Sequence, residues 1–256
     1  SFRIPNIDEH IKATTSGNFH LEDQESDGIE IGLLYQNDQI DINASYYNMD
    51  TKNEIQYNQS VNTNLDPIER QGINIDLDYM IDEKQKIMSS FNFTEAEFTS
   101  GTLTPGSGGA GTCNYDNTTY CSNSSTWQNL MGGGTSYSLA GKSVPLVSPI
   151  TYSINYVNKF RSDMTFNLGI KYNDEKYVSN DQENIEPKIP DYYLINTSLS
   201  SNKGPYVYKI GINNLTNEKI YDFAISSTFH DDAHYGLSNV YPLPERNYFV
   251  DFKYTF

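Results

Sequence analysis

The chain has 256 residues, enough for one large β domain or two small ones, and its formal charge of −16 comes from 33 acidic against 17 basic side chains. That balance argues against a nucleic-acid partner, whose phosphates demand a basic face. Mean hydropathy is −0.61, and no run approaches the ~18 apolar residues of a membrane helix. A β-barrel carries its membrane signal in alternation, so low hydropathy leaves that class open. Aromatic residues make up 13%, with 21 Tyr and one Trp. Tyr suits an interfacial girdle, its ring in the boundary and its hydroxyl wet; plain β propensity is the competing reading. The chain opens Ser1-Phe2-Arg3-Ile4-Pro5 with no initiating Met and no secretory signal, so a mature product or a fragment is expected.

In chain order, residues 1–27 are mixed and polar. A strand is predicted with Ile29, Ile31, Leu33 and Tyr35 on one face, then a turn at Gln36-Asn37-Asp38-Gln39. The next strand carries Ile40, Ile42, Ala44 and Tyr46 and is expected to run toward Ile55; 58–67 reads as polar loop. Ile73, Ile75, Leu77 and Tyr79 alternate with Asn74, Asp76 and Asp78, the pattern of a wet lumen against lipid. A soluble half-buried sheet gives the same pattern. After a turn at Asp82-Glu83-Lys84, Ile87, Ser89, Phe91 and Phe93 continue the apolar face and fade at Glu95-Ala96-Glu97.

Residues 99–148 read as a long irregular insert. Its glycines at 106–111 and 132–134 lack the strand, helix and Lys-Ser/Thr pair of a phosphate loop. Cys113 and Cys121 lie close together in it, a spacing that suits a local disulfide in an oxidising compartment. No His lies near enough in sequence to complete a metal site there.

Strands are then predicted on Ile150, Tyr152, Ile154 and Tyr156, and on Met164, Phe166, Leu168, Ile170 and Tyr172, opposite Thr165, Asn167, Gly169 and Lys171. Residues 174–189 read as an acidic loop. Tyr193, Ile195, Thr197 and Leu199 follow, then a turn at Ser201-Asn202-Lys203-Gly204, then Tyr206, Tyr208, Ile210 and Ile212. Residues 214–245 form a second long loop. Asp76, Asp78, Asn167, Lys171 and Asn213 are expected to hydrate an interior.

The last strand alternates Tyr248, Val250, Phe252, Tyr254 and Phe256 against Asn247, Phe249, Asp251, Lys253 and Thr255. An apolar face running to the terminal carboxylate is unusual for a soluble domain, whose ends fray, and fits the closing strand of an outer-membrane barrel. About nine strands are predicted. Connections near 37, 83, 162 and 202 are short; those at 56–69, 99–148, 174–189 and 214–245 are long. That sorting by side matches short periplasmic turns and long extracellular loops. An odd count leaves bare edges, so either residues 1–20 hide a strand or the chain is the C-terminal part of a larger barrel, the reading favoured here.

One His-acid cluster stands out: His230, Asp231, Asp232 and His234. Two imidazoles and two carboxylates on a loop are ligand-contact candidates for an iron chelate, against the plain alternative of a solvated loop tip. No resident metal or cofactor is expected. No Gly-x-Ser-x-Gly or grouped Ser, His and acid appears, and the Glu95/Glu97 pair carries little information in so acidic a chain; no enzymatic activity is expected.

Several phrases, in order along nearly the whole chain, resemble TonB-dependent outer-membrane receptors. Phe2-Arg3-Ile4-Pro5 resembles "FRaP". Leu21-Glu22-Asp23-Gln24-Glu25-Ser26 with Ile29-Glu30-Ile31-Gly32 resembles "LkPE.S…yElG", with Asp23 where Pro is usual. Tyr47 to Ile55 resembles the "yy…i.d.I" strand. Gly141-Lys142-Ser143-Val144-Pro145-Leu146-Val147-Ser148-Pro149 resembles "G..lp.vP". Ile212-Asn213-Asn214-Leu215-Thr216-Asn217-Glu218-Lys219-Ile220-Tyr221 resembles "v.NLfdk.Y". Tyr241-Pro242-Leu243-Pro244-Glu245-Arg246 resembles "Y.pGR", with Glu245 in place of the common Gly.

The resemblance implies a transmembrane, antiparallel, up-and-down all-β barrel of 22 strands, of which residues 1–256 are roughly the last nine. The plug domain, the TonB box and the first strands would be absent. It implies a bacterial outer-membrane importer of a scarce ligand, a ferric siderophore or other iron chelate foremost, with haem, cobalamin and oligosaccharides as further family ligands. Implied partners are TonB through the absent N-terminal part, outer-membrane lipid, and the barrel-assembly machinery reading Tyr248, Val250, Phe252, Tyr254 and Phe256. The competing readings are a secreted, lectin-like all-β binding protein and a small complete porin or adhesin barrel.

Overall fold

The computed structural model describes residues 1–11, 21–58, 61–103, 137–179, 181–184, 186–226 and 238–255. The chain begins with β1 (Phe2–Arg3) and a five-residue helix, α1 (Ile7–Ile11). The helix is an addition to the all-β expectation. Asn6 and Glu9 form a reciprocal cap at its start: Asn6 Oδ1 accepts from the Glu9 N–H (2.9 Å), and Glu9 Oε2 accepts from the Asn6 N–H (2.8 Å). Then come β2 (Gln24–Gln36), β3 (Ile40–Lys52), β4 (Ile55–Asn58), β5 (Val61–Asn64), β6 (Ile68–Met80) and β7 (Gln85–Phe98). The second half holds β8 (Thr102–Leu103), β9 (Tyr137–Ser138), β10 (Ile150–Arg161), β11 (Met164–Asn173), β12 (Tyr192–Lys203) and β13 (Tyr206–Asn213). β14 (Tyr221–Ser226), β15 (Ser238–Pro242) and β16 (Asn247–Tyr254) complete it.

One ten-stranded sheet runs β1-β2-β3-β6-β7-β10-β11-β12-β13-β16. Every pairing in it is antiparallel, so its long strands form an up-and-down meander. Among the described residues β16 does not pair back to β1 or β2, and the sheet is open. Apart from β1, each of its strands has eight residues or more.

The short connections gather at one end, with turns built by their own side chains. Asn37 Oδ1 accepts from the N–H of Gln39 and of Ile40, both at 2.8 Å. Asp82 accepts from the Lys84 N–H (2.7 Å) and the Gln85 N–H (2.8 Å), and Gly204 turns the last short hairpin at φ 59°. The long connections gather at the other end, and their described residues include short strands. The segment read as loop at 56–69 holds the β4–β5 hairpin, 214–245 holds β14–β15, and 99–148 holds the small β8–β9 pair. Nor does β3 reach Ile55; it stops at Lys52, where Asn53 takes φ 57°, a left-handed conformation Asn tolerates.

Cross-strand register sorts the two faces. On one, Leu33, Ala44, Ile75, Phe91, Tyr152, Tyr172 and Tyr193 follow one another strand by strand. Toward the short-turn end, Leu168, Thr197, Ile212 and Tyr248 form a later row, then Leu199, Ile210 and Val250. Tyr206, Tyr208, Phe252 and Tyr254 close this face with ring centroids 5.2–6.4 Å apart. Tyr152, Tyr172 and Tyr193 cluster at the opposite end, the first two stacked at 5.1 Å. An aliphatic band thus lies between two aromatic belts. From Tyr193 to Lys203, paired with Tyr206, β12 rises ~33 Å over about ten residues, or about 25 Å of height at a ~40° tilt, the apolar thickness of an outer-membrane barrel.

The other face is polar. Asp41, Asp76, Asp78, Asn155, Asn167 and Lys171 lie on it, as their alternation requires. Two glycines admit large rings there. Tyr47 lies on its partner Gly72 and hydrogen-bonds Thr94 at 3.0 Å; Phe249 lies on its partner Gly211. Lys209 Nζ stands 5.4 Å from the Phe249 ring centroid, a cation–π contact between the last two sheet strands.

Candidate functional site

The long connections pack against one another at one end of the sheet. Residues 142–144 run along the end of β7: the Phe98 N–H donates to the Lys142 carbonyl and the Val144 N–H to the Ala96 carbonyl, both at 2.9 Å. Ile68, Ala96, Phe98, Leu139 and Val144 form a small buried core beneath this segment. A second core joins three connections: Val178 and Ile189, Ala224 of β14, and the partly buried Leu146 and Tyr221.

The 174–191 connection is the middle piece. Toward β14, the Ser179 N–H donates to the Ala224 carbonyl (2.8 Å) and Lys176 Nζ meets Asp222 Oδ1 at 2.7 Å. Asn173 of β11 donates to the Tyr192 hydroxyl beside this pair. Burial opposes ionisation of Asp222, but the Lys176 bond and charge, with Tyr192 donating, outweigh it and hold the carboxyl below its usual range. Toward 139–147, the Leu146 N–H donates to the Tyr177 carbonyl (2.9 Å). The Asn184 amide grips both backbone groups of Ser143: Oδ1 accepts from the N–H at 2.7 Å and Nδ2 donates to the carbonyl at 2.9 Å.

Asp181, Glu183 and Glu186 are buried in the same connection. Loss of water contact, followed by repulsion from Asp181 and Glu186, pushes the Glu183 carboxyl up to about 7. Their sequence reads as a solvated acidic loop, so the burial of these three acids is a correction.

Asn214 anchors the last connection. It is buried, at φ 53°; its N–H donates to Asn196 Oδ1 (2.9 Å) and its amide bonds both backbone groups of Glu218. The Asn-Leu phrase at 214–215 is therefore a structural clamp. On the polar face, toward the short turns, Asp41, Asn43, Asp76, Asp78 and Asn155 line a recess of about 490 Å³, and Lys86 Nζ pairs with Asp78 at 2.7 Å.

Of the residues singled out in the sequence, His230, Asp231, Asp232, His234, Cys113, Cys121 and Phe256 lie outside the described residues. Tyr248, Val250, Phe252 and Tyr254 share the apolar face of β16, paired with Ile212, Ile210, Tyr208 and Tyr206. Asn213 reaches the polar side of the same seam, donating to Asn247 at 2.9 Å.

No curated protein matches the sequence. Solved structures that share the architecture include three receptors. The ferric-catecholate import receptor Fiu of Escherichia coli K12 superimposes with TM-score 0.61 at 13% identity, over 94% of this chain and 29% of its own. The siderophore receptor PiuA of Acinetobacter baumannii gives 0.63 at 16%, over 92% and 29%. The ferric yersiniabactin uptake receptor FyuA of Yersinia pestis gives 0.65 at 12%, over 91% and 30%. The chain spans just under a third of the length of these proteins. A family model for the TonB dependent receptor-like β-barrel matches residues 1–215, and with the open antiparallel wall and its two aromatic belts it places this chain in the TonB-dependent receptor β-barrel family.

Proposed function

We propose that this chain is wall and outer loops of an outer-membrane receptor that imports a scarce ligand, a ferric siderophore or similar iron chelate, with energy delivered by TonB. The observation that carries this reading is the joined body of 139–147, 174–191 and β14, set at the long-loop end above a polar wall. A ligand platform needs loops held in place by their own packing. The neighbouring folds are a ferric-catecholate import receptor, a siderophore receptor and a ferric yersiniabactin uptake receptor, which supports an iron chelate as cargo.

TonB acts through a part of the receptor outside this chain. The aromatic face of β16, Tyr248, Val250, Phe252 and Tyr254, with Phe256 following in sequence, is the segment offered to the barrel-assembly machinery, and the aliphatic band meets membrane lipid. His230, Asp231, Asp232 and His234 fall in the connection between β14 and β15 and are ligand-contact candidates. The reading involves no enzymatic step. The test is uptake of labelled ferric siderophores by cells carrying the full receptor, with and without TonB. Uptake that requires both supports the reading, and the His230→Ala/His234→Ala variant is expected to lower it. Growth and uptake indifferent to the receptor under iron limitation would overturn the iron assignment.

A further inference from the structure

Two packed bodies meet in the segment 139–147. Leu139 and Val144, with the partly buried Val147, pack against Ile68 of β6 and Ala96 and Phe98 of β7, which fixes the segment to the wall. Leu146 packs the other way, against Val178, Ile189 and Ala224. The 174–191 connection and β14 form that second body, tied by the Ser179–Ala224 backbone bond and the Lys176–Asp222 pair. The change of direction is made by a turn at Pro145-Leu146, with Leu146 at φ 65°. A left-handed corner after Pro is the place of Gly or Asn, because a Cβ there crowds the backbone. The conformation disfavours other residues by about tenfold in population. Among the described residues every other non-glycine with positive φ is an asparagine: Asn53, Asn184, Asn214 and Asn217. Leu146 departs from that rule, and its side chain gains a seat in the second core while its N–H reaches the Tyr177 carbonyl at 2.9 Å.

We propose that Leu146 is a strained joint between these two bodies. Seated, it holds the body of 174–191 and β14 against the wall-bound segment. Unseated, it relaxes its backbone and lets that body part from the wall as a unit. The left-handed backbone offsets part of what the seat contributes, so the joined and parted forms lie closer in free energy than packing alone would set them. The plane of parting is written in two consecutive amides. The Ser143 N–H donates to Asn184 on the moving body at 2.7 Å, and the Val144 N–H donates to the Ala96 carbonyl on the wall at 2.9 Å. Parting exposes the first amide and leaves the second bonded. On the reading of this end as the outer mouth of a receptor, the joint governs how far the platform opens. The joint itself rests on the packing of this chain, whatever the ligand.

Amide hydrogen exchange on the full receptor in membranes, with no ligand added, separates strain from packing at position 146. Leu146→Ala keeps the left-handed cost and loses the seat, and should speed exchange of the Ser143 amide about tenfold. Leu146→Gly loses the same seat but relieves the backbone, so Ser143 should exchange about fivefold more slowly than in Leu146→Ala. Leu146→Ile keeps the apolar volume but is β-branched at a positive φ, and should speed Ser143 about fivefold over the parent. In all three, the Val144 amide on the wall and the Ser179 amide within the moving body should keep the parent's protection. Exchange in Leu146→Gly as fast as in Leu146→Ala, or parent-like exchange in Leu146→Ile, overturns the strain. Loss of Val144 or Ser179 protection together with Ser143 overturns the division into two bodies. Because no ligand enters the measurement, an uptake assay that overturns the iron assignment leaves these outcomes unchanged.

Discussion

Replacing Gly72 by alanine probes how the polar face is built. A Cβ at position 72 would stand 2.3 Å from the Phe93 carbonyl oxygen, 2.7 Å from the Tyr47 hydroxyl and 2.8 Å from Tyr47 Cε1. The ring can swing away, but the carbonyl belongs to β7 and moves only if the β6–β7 ladder shifts. Overpacking of this kind costs ~1–3 kcal/mol, and displacing Tyr47 also breaks its bond to Thr94, worth about 1 kcal/mol, for a total of about 2–4 kcal/mol. Two companions separate the terms. Tyr47→Phe keeps the ring and loses only the hydroxyl bond, so it should cost about 1 kcal/mol. Gly32→Ala, whose nearest neighbour would be the Ala44 carbonyl at 3.7 Å, should stay within ~0.5 kcal/mol of the parent. The assay is urea unfolding of the full receptor in lipid, followed by loss of the fast-migrating unheated band on gels. Equal midpoints for Gly72→Ala and Gly32→Ala would refute the reasoning, because only the register-dependent clash distinguishes them.

Three further substitutions address the faces and the loop body. Ile170→Lys, on the apolar face between the aromatic belts, should cost ~2–4 kcal/mol by the same unfolding assay, whereas Asn167→Lys on the polar face should be tolerated; equal losses would contradict the assignment of faces. Lys176→Met leaves Asp222 partly buried without its cation. Because Asp222 is 39% exposed, solvent screening keeps the effect near ~1 kcal/mol, read as about fivefold faster exchange of the Ser179 amide. In the parent, that amide should keep its protection above pH 3.8 and lose it as pH falls through the depressed value of Asp222, since protonation removes the bond that holds the carboxyl low. Acid-insensitive exchange at Ser179 would place the anchoring elsewhere.

Period-two alternation is local, and so the strands, their faces and the sides of their turns are written in the sequence. Met164 to Tyr172 and Tyr206 to Ile212 declare their apolar sides without reference to any neighbour. The contrast of short and long connections likewise states the meander and its polarity before any pairing is known. What depends on which distant residues meet was not legible. The close contacts at Gly72 and Gly211 exist only because register sets Tyr47 on the first and Phe249 on the second. Asp181, Glu183 and Glu186 read as solvated acid yet are buried, and Asn184 among them bonds Ser143, 41 positions away. The hairpins within the long connections have too few alternating residues to stand out from their polar surroundings. Alternation, loop length and turn chemistry therefore determined the wall of this protein, because each is decided within a few residues. Burial of the acids, the Lys176–Asp222 pair and the aromatic-on-glycine contacts were decided by tertiary structure, because a side chain's ionisation and fit depend on what excludes water from it, and here that comes from another part of the chain.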